Sequence, residues 1–161
     1  PYQFPEKLIP TMILAGLNGE PLPVYGEGLN VRDWLHVDDH AAALCLILRQ
    51  GRPGDSYNVT AECERRNVDV VQAICAALDT LRPDAPHRPH AGLIRSVADR
   101  PGHDFRYALA GAKLARALKW RPRISFDEGL RDTVRWYIDN RAWWEPIRRA
   151  GHAGQRQGRA G

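Results

Sequence analysis

"VRDWLHVDDHAAALCLILRQG", Val31 to Gly51, decides the fold class. Its opening alternates, with Val31, Asp33, Leu35 and Val37 on one side and Arg32, Trp34 and His36 on the other. A period of two marks a half-buried strand. Asp38 follows as a helix cap, and Ala41, Leu44, Cys45 and Leu48 then recur at helical spacing until Gly51 closes the run. A strand feeding straight into an amphipathic helix predicts an α/β protein.

The flanks continue that alternation of elements. Glu6 to Leu17 places Leu8, Ile9, Met12, Ile13 and Leu17 on one helical face; Pro10 should kink or delay its first turn, and Asn18-Gly19 ends it. "PLPVYG" is a short extended run whose prolines suit only a sheet edge. "DSYNV" reads as a further strand, and Asn67 as the cap of a helix burying Val71, Ile74, Cys75, Leu78 and Leu81. A Pro-rich loop, "RPDAPHRPHAG", leads to a strand at "LIRSVA" and a short helix at "AGAKLARAL". Ser125 and Glu128 form an S-x-x-E capping box for a last helix that buries Phe126, Leu130, Val134, Tyr137 and Ile138. The reading is one folded portion over 1–146 and a disordered Arg/Gly-rich tail over 147–161.

Composition narrows the function classes. Of the 161 residues 43% are apolar and 26% charged, which excludes a disordered chain. No apolar run approaches the roughly 20 residues of a membrane-spanning helix. The net charge is +4, but Arg141, Arg148, Arg149, Arg156 and Arg159 alone exceed it, so the basic balance belongs to the tail and argues against a nucleic-acid surface. Cys45, Cys63 and Cys75 form no CxxC pair, and no basic-then-apolar leader opens the chain, which suits a reducing cytoplasm. The start at Pro1-Tyr2, without methionine, reads as a piece of something larger.

No motif forms a catalytic centre. The glycines of "AGLNGEPLPVYGEG" lack the spacing of a phosphate-cradling loop. His36 and His40 stand four apart, but His36 belongs to the strand before the helix, so the pair does not make a metal site. Cys45 and Cys75 read as core residues, and Cys63, between Glu62 and Glu64, as an unreactive thiol. What remains are groups that grip an anion. Lys7 offers a point charge and Arg32 a planar fork. Tyr25 offers a flat face with a polar tip. Asn67 marks a helix start, where phosphate oxygens sit well. In "SVADRPGHDFRYAL", Arg100 and His103 are donors and Asp99 an acceptor for sugar hydroxyls.

Five stretches occur in a telling order: "PYQFPEKLIPTMILAGLNGEPLPVYGEGLNVRDWLHVDDHAAAL", "YNV", "ERRNVDVVQAIC", "DRPGHDFRYAL" and "LKWRPRISFDEGLRDTVRWYIDN". From Pro1 to about Trp144 the chain resembles the C-terminal half of the dTDP-glucose 4,6-dehydratase family, within the extended short-chain dehydrogenase/reductase superfamily. "RDWLHVDDHA" alone marks the wider nucleotide-sugar group with its epimerases and decarboxylases; "PYQFPEKLIP" with "DRPGHDFRY" narrows it. The resemblance implies the end of a Rossmann-type sheet and a smaller substrate-binding domain. It also implies NAD-dependent conversion of dTDP-glucose to dTDP-4-keto-6-deoxyglucose and water, on the way to dTDP-rhamnose and related deoxysugars, and homodimers of the full-length enzyme. The dinucleotide loop, the YxxxK pair and the acid-base Asp-Glu pair belong to the family's other half, so this chain alone should be inactive. By the same resemblance Lys7 and Leu8 line the sugar diphosphate, and Pro23, Val24 and Tyr25 frame the thymine. Arg32 and Asn67 meet the diphosphate, and Asp99, Arg100, Pro101, Gly102 and His103 close over the nucleotide. Two departures stand out: Thr60-Ala61 replaces a pair of glycines, and His36 replaces a common tyrosine. The other readings are a different nucleotide-sugar epimerase or decarboxylase and a non-catalytic basic binding module.

Overall fold

A computed structural model of the chain describes residues 2, 3 and 6–149. In chain order the elements are α1 (Leu8–Leu17), β1 (Leu22–Tyr25), β2 (Val31–Asp33), α2 (Val37–Gln50), β3 (Glu64–Arg66) and α3 (Asn67–Leu81). A 3₁₀ turn (His90–Leu93), β4 (Ile94–Val97), β5 (Arg106–Tyr107), α4 (Ala112–Leu118), α5 (Phe126–Asp139) and α6 (Arg141–Ile147) complete it. The mixed α/β class expected from Val31–Gly51 is what the chain builds.

α1 starts at Leu8, so Pro10 falls in the first turn, where a missing N–H leaves no bond unmade. β1 pairs in parallel with β4 as a two-stranded sheet, which gives its Pro23 the edge it needs. β2 lies at the centre of a second sheet, antiparallel to β3 and parallel to β5. The core is a layer of helices on β1. α3 packs between α1 and α5 and buries Val70, Val71, Ile74, Cys75 and Leu78, while α5 contributes Leu130, Val134 and Tyr137. Each such aliphatic side chain stabilises the fold by about 1.5–3 kcal/mol. The capping box at Ser125 and Glu128 forms as read. Burial, with the Asp79 charge added, pushes the Cys75 thiol up to about 11, so it behaves as an inert core group.

Several local readings fail for identifiable reasons. The strand expected over "VRDWLHV" ends at Asp33, because its partner β3 runs out at Glu64. His36 rather than Asp38 caps α2: its Nδ1 accepts from the Asp38 N–H at 3.2 Å, so the departure from tyrosine has a structural use. The expected core face of α2 is outside. Ala41, Leu44, Cys45 and Leu48 are exposed, and the helix buries only Asp39 and Ala43. Asp39 accepts from the Arg123 and Ile124 N–H groups, both at 2.9 Å, tying α2 to the approach of α5. Asp55–Val59 joins no ladder among the described residues. Asn67 is the first helical residue of α3, not its cap; Arg66 holds that position. At the far end α6 runs to Ile147, Arg148 pairs with Glu20 and Arg149 with Glu145. The rest of the expected disordered tail, Ala150 onward, lies outside the described residues.

Candidate functional site

The side chains singled out in "SVADRPGHDFRYAL" meet Tyr25 because two strand ends are zipped together. The Gly26 N–H donates to the Val97 carbonyl at 2.8 Å, and the Ser96 hydroxyl to the Gly26 carbonyl at 2.7 Å. The turn after β4 is thereby set beside the outward ring of Tyr25. Asp99 Oδ1 accepts from the Arg100 N–H at 2.7 Å and lies 2.8 Å from His103 Nδ1. Arg100 Nη2 is 2.9 Å from His103 Nε2, and its guanidinium carbon stands 4.8 Å from the Tyr25 ring centroid. A guanidinium only donates, so His103 Nε2 accepts, and the ring proton sits on Nδ1 facing Asp99. His103 is therefore a link that orients Arg100, with both nitrogens engaged, rather than the free donor the sequence suggested. Its hydrogen bond, then the Arg100 amide, holds the Asp99 carboxyl below its ordinary value. Gly102 has φ of 68°, and a Cβ there would meet nothing within 4 Å. The turn thus needs glycine for backbone conformation, not for space.

One donor in this cluster is shut away from solvent. Arg100 Nε is buried and has no hydrogen-bond partner among the described residues. A buried N–H of a cation without an acceptor is unfavourable.

Arg32 adjoins the cluster through the next residue of the turn. Its Nη2 donates to the Asp104 carbonyl at 2.8 Å and its Nη1 to the Val31 carbonyl at 2.7 Å, so part of its fork is already engaged. Asn30, 6% exposed, was not legible as a site residue, yet it joins the parts. Its side-chain amide donates to the same Asp104 carbonyl at 3.3 Å, and its own carbonyl accepts from the Asn67 N–H at 2.9 Å. The Val68 N–H donates to the Gly28 carbonyl at 3.0 Å. Two amides at the start of α3 are thus engaged, which leaves less of a phosphate seat than a bare helix start would offer. Strand alternation sends Val24 into the core at 5% exposure, so only Pro23 and Tyr25 of the expected thymine frame face outward. Pro101 is exposed on the turn. The Lys7 ammonium lies 2.9 Å from Glu6, and Leu8 packs on the core. No described contact brings either to the Tyr25 cluster.

A cavity of about 930 Å³ opens elsewhere, between the start of α2 and α5. Its lining includes Tyr2, Gln3, Asp33, Trp34, His36 and Phe126. Trp34 Nε1 is a second buried donor without a partner among the described residues. β2 connects the two regions: Arg32 reaches the turn that carries the cluster, and Asp33 lines the cavity. Asp33 also fastens the loop where two glycines were expected. It accepts from the buried Thr60 hydroxyl and, at 3.0 Å, from the Cys63 N–H. Among the described residues no group of three His, Cys, Asp or Glu is placed to hold a metal, and no helix is long and apolar enough to cross a membrane.

The site is thus an arginine stacked on an aromatic ring at the joined ends of two strands, in a mixed helix-and-strand portion. The chain belongs to the family described as GDP-mannose 4,6 dehydratase, whose model matches residues 1–133. Within it, the chain is 55% identical over 158 residues to a probable dTDP-glucose 4,6-dehydratase of Sinorhizobium fredii, covering 98% of this chain and 45% of that protein. The crystal structure of the dTDP-glucose 4,6-dehydratase DesIV of Streptomyces venezuelae, with NAD and TYD bound, is 46% identical with a TM-score of 0.81. It covers 91% of this chain and 43% of its own. The Bacillus anthracis dTDP-glucose 4,6-dehydratase in complex with NAD is 44% identical with a TM-score of 0.79, over 91% of this chain and 44% of its own. The chain thus spans under half the length of these relatives, as a C-terminal portion of the short-chain dehydrogenase/reductase architecture.

Proposed function

We propose that this chain is the nucleotide-sugar-binding portion of a dTDP-glucose 4,6-dehydratase. The observation that carries the reading is the Tyr25–Arg100–His103–Asp99 network with its unpartnered Arg100 Nε. The nucleoside diphosphate lies against that network, with Arg32 beside its phosphates and Asp99 Oδ2 open to a ribose hydroxyl. The cavity beyond Asp33 is left for the sugar. In the whole enzyme dTDP-glucose loses water to give dTDP-4-keto-6-deoxyglucose, and NAD serves as the transient hydride acceptor. We assign that enzyme to the cytoplasm and its dimer contacts to the portion this chain does not span.

The residues present do not fit NAD. Among the described residues the glycines with left-handed backbone, Gly19, Gly26, Gly28, Gly54 and Gly102, close helices and turns, and none sits between a strand and the helix after it. No hydride or proton-transfer step is assigned to this chain, and alone it is inactive. The outward apolar face of α2 and the unladdered Asp55–Val59 fit a portion made to be covered by the rest of an enzyme. Calorimetry on the folded chain tests the reading. dTDP should bind more tightly than inorganic phosphate, and Arg32→Ala should weaken it; equal affinity for the two ligands refutes the pocket.

A further inference from the structure

Three rings close on one another where the start of the chain meets the last two helices. Tyr2 stands edge-on to Trp136 of α5, centroids 4.8 Å apart, and to Trp143 of α6 at 5.2 Å. Trp136 and Trp143 are themselves 5.3 Å apart. Beside them the Tyr137 hydroxyl donates to the Gln3 carbonyl at 3.2 Å, and the Trp144 indole N–H donates to the Tyr137 carbonyl at 2.7 Å. Tyr137 is 1% exposed, and burial pushes its phenol up to about 12, so it remains a proton donor throughout the neutral range.

The backbone of Tyr2 has φ of 59°, a left-handed conformation that bulky side chains rarely adopt. Such a conformation persists where the surrounding contacts over-determine it, and it concentrates at ligand clamps. Here the contacts are the two indoles and the Tyr137 bond. Tyr2 and Gln3 both line the cavity that Asp33 and Trp34 share, so the rings act on a wall of the site rather than on a remote surface. The sequence placed Tyr137 on the buried face of the last helix and gave no sign that two indoles and Tyr2 meet beside it.

We infer that Trp136, Tyr137 and Trp143 are positioning residues that hold Tyr2–Gln3 as the cavity wall at the sugar end of the ligand. What occupies the cavity rests on the function proposed above; the clamp on Tyr2–Gln3 does not. A wall at the sugar end acts on dTDP-glucose and leaves dTDP alone, which a purely structural role does not do.

The test compares both ligands by calorimetry on the folded chain and its Tyr137→Phe, Trp143→Ala and Trp143→Phe variants, with ring-to-ring NMR contacts from Tyr2 as a ligand-free readout. Losing one net hydrogen bond in Tyr137→Phe should weaken dTDP-glucose about fivefold and change dTDP by less than about twofold. Trp143→Ala should lose the Tyr2 ring contacts and weaken dTDP-glucose by about tenfold, while Trp143→Phe restores most of both. Equal weakening of the two ligands in step with a falling melting temperature overturns the positioning role, as does unchanged discrimination between them. Failure of the wild-type chain to prefer dTDP over inorganic phosphate overturns the ligand reading and the positioning role with it; absent Tyr2 ring contacts overturn the clamp alone.

Discussion

Arg100→Ala is the sharpest perturbation of the proposed site. In the folded chain the guanidinium stacks 4.8 Å from the Tyr25 centroid and gives one N–H to His103, while Nε is buried with no hydrogen-bond partner among the described residues. Removing it loses a half-buried cation–π contact, about 0.5–2 kcal/mol, and frees one acceptor on His103. The fold should lose little, because Tyr25 is already 39% exposed and no core side chain moves. Ligand binding should lose more. A charge-assisted hydrogen bond from guanidinium to phosphate contributes about 1.5–3 kcal/mol, which is about 10- to 150-fold in dTDP affinity. Arg100→Lys separates charge from geometry, since lysine keeps the point charge but cannot stack a planar fork on Tyr25. Its loss should fall between wild type and alanine, and be larger for dTDP than for inorganic phosphate. Calorimetry of both ligands, beside a circular-dichroism melt, reads all of this. If Arg100→Ala binds dTDP within about twofold of wild type while melting normally, the network is a surface ion cluster and not the nucleotide grip.

Other outcomes follow from single contacts. Gly28→Ala should destabilise the chain by about 2–5 kcal/mol, from left-handed strain plus overpacking. The glycine has φ of 70°, and a Cβ there would stand 2.6 Å from Val24 Cγ1 and 2.9 Å from Val68 Cβ; urea unfolding measures the loss. Asp79→Ala should cost about 1–3 kcal/mol, because the fully buried His90 loses its acceptor at 2.6 Å for the ring and 3.2 Å for the backbone N–H. Burial raises the Asp79 carboxyl, but the bonds from His90 and the charge of Arg88 outweigh it and hold the group below its ordinary value. Its stabilisation is therefore complete above the unfolded value near 3.9 and drains as pH falls toward the lower folded value, so the variant should flatten the acid limb of the stability curve. On α2, Val37, Leu44 and Leu48 are 56, 50 and 87% exposed, and the chain by itself should self-associate through them. Leu44→Glu with Leu48→Glu should give a monomer by sedimentation without changing the melt; a monodisperse wild-type monomer would refute this.

Sequence alone determined the elements whose signals are local. The capping box at Ser125 and Glu128, the helical period of Val71, Ile74, Cys75 and Leu78, and the Pro-lined edge strand at Leu22–Tyr25 all depend on neighbours within a few residues. The clustering of Asp99, Arg100 and His103 on a Pro-Gly turn was legible for the same reason, and ordered motifs made the family legible. Tertiary structure decided what those faces meet. Periodicity groups Leu44, Cys45 and Leu48 on one side of a helix but cannot say whether anything packs there, and among the described residues nothing covers them. It cannot say that Val24 turns inward beside an outward Tyr25, that His103 spends both ring nitrogens on its neighbours, or that Asn30 joins the Asp104 carbonyl to the start of α3. Nor can it bring Tyr2 to Trp136 and Trp143 from the opposite end of the sequence. Burial and hydrogen-bond partnership are set by groups distant along the chain, and only the folded arrangement brings those groups within reach.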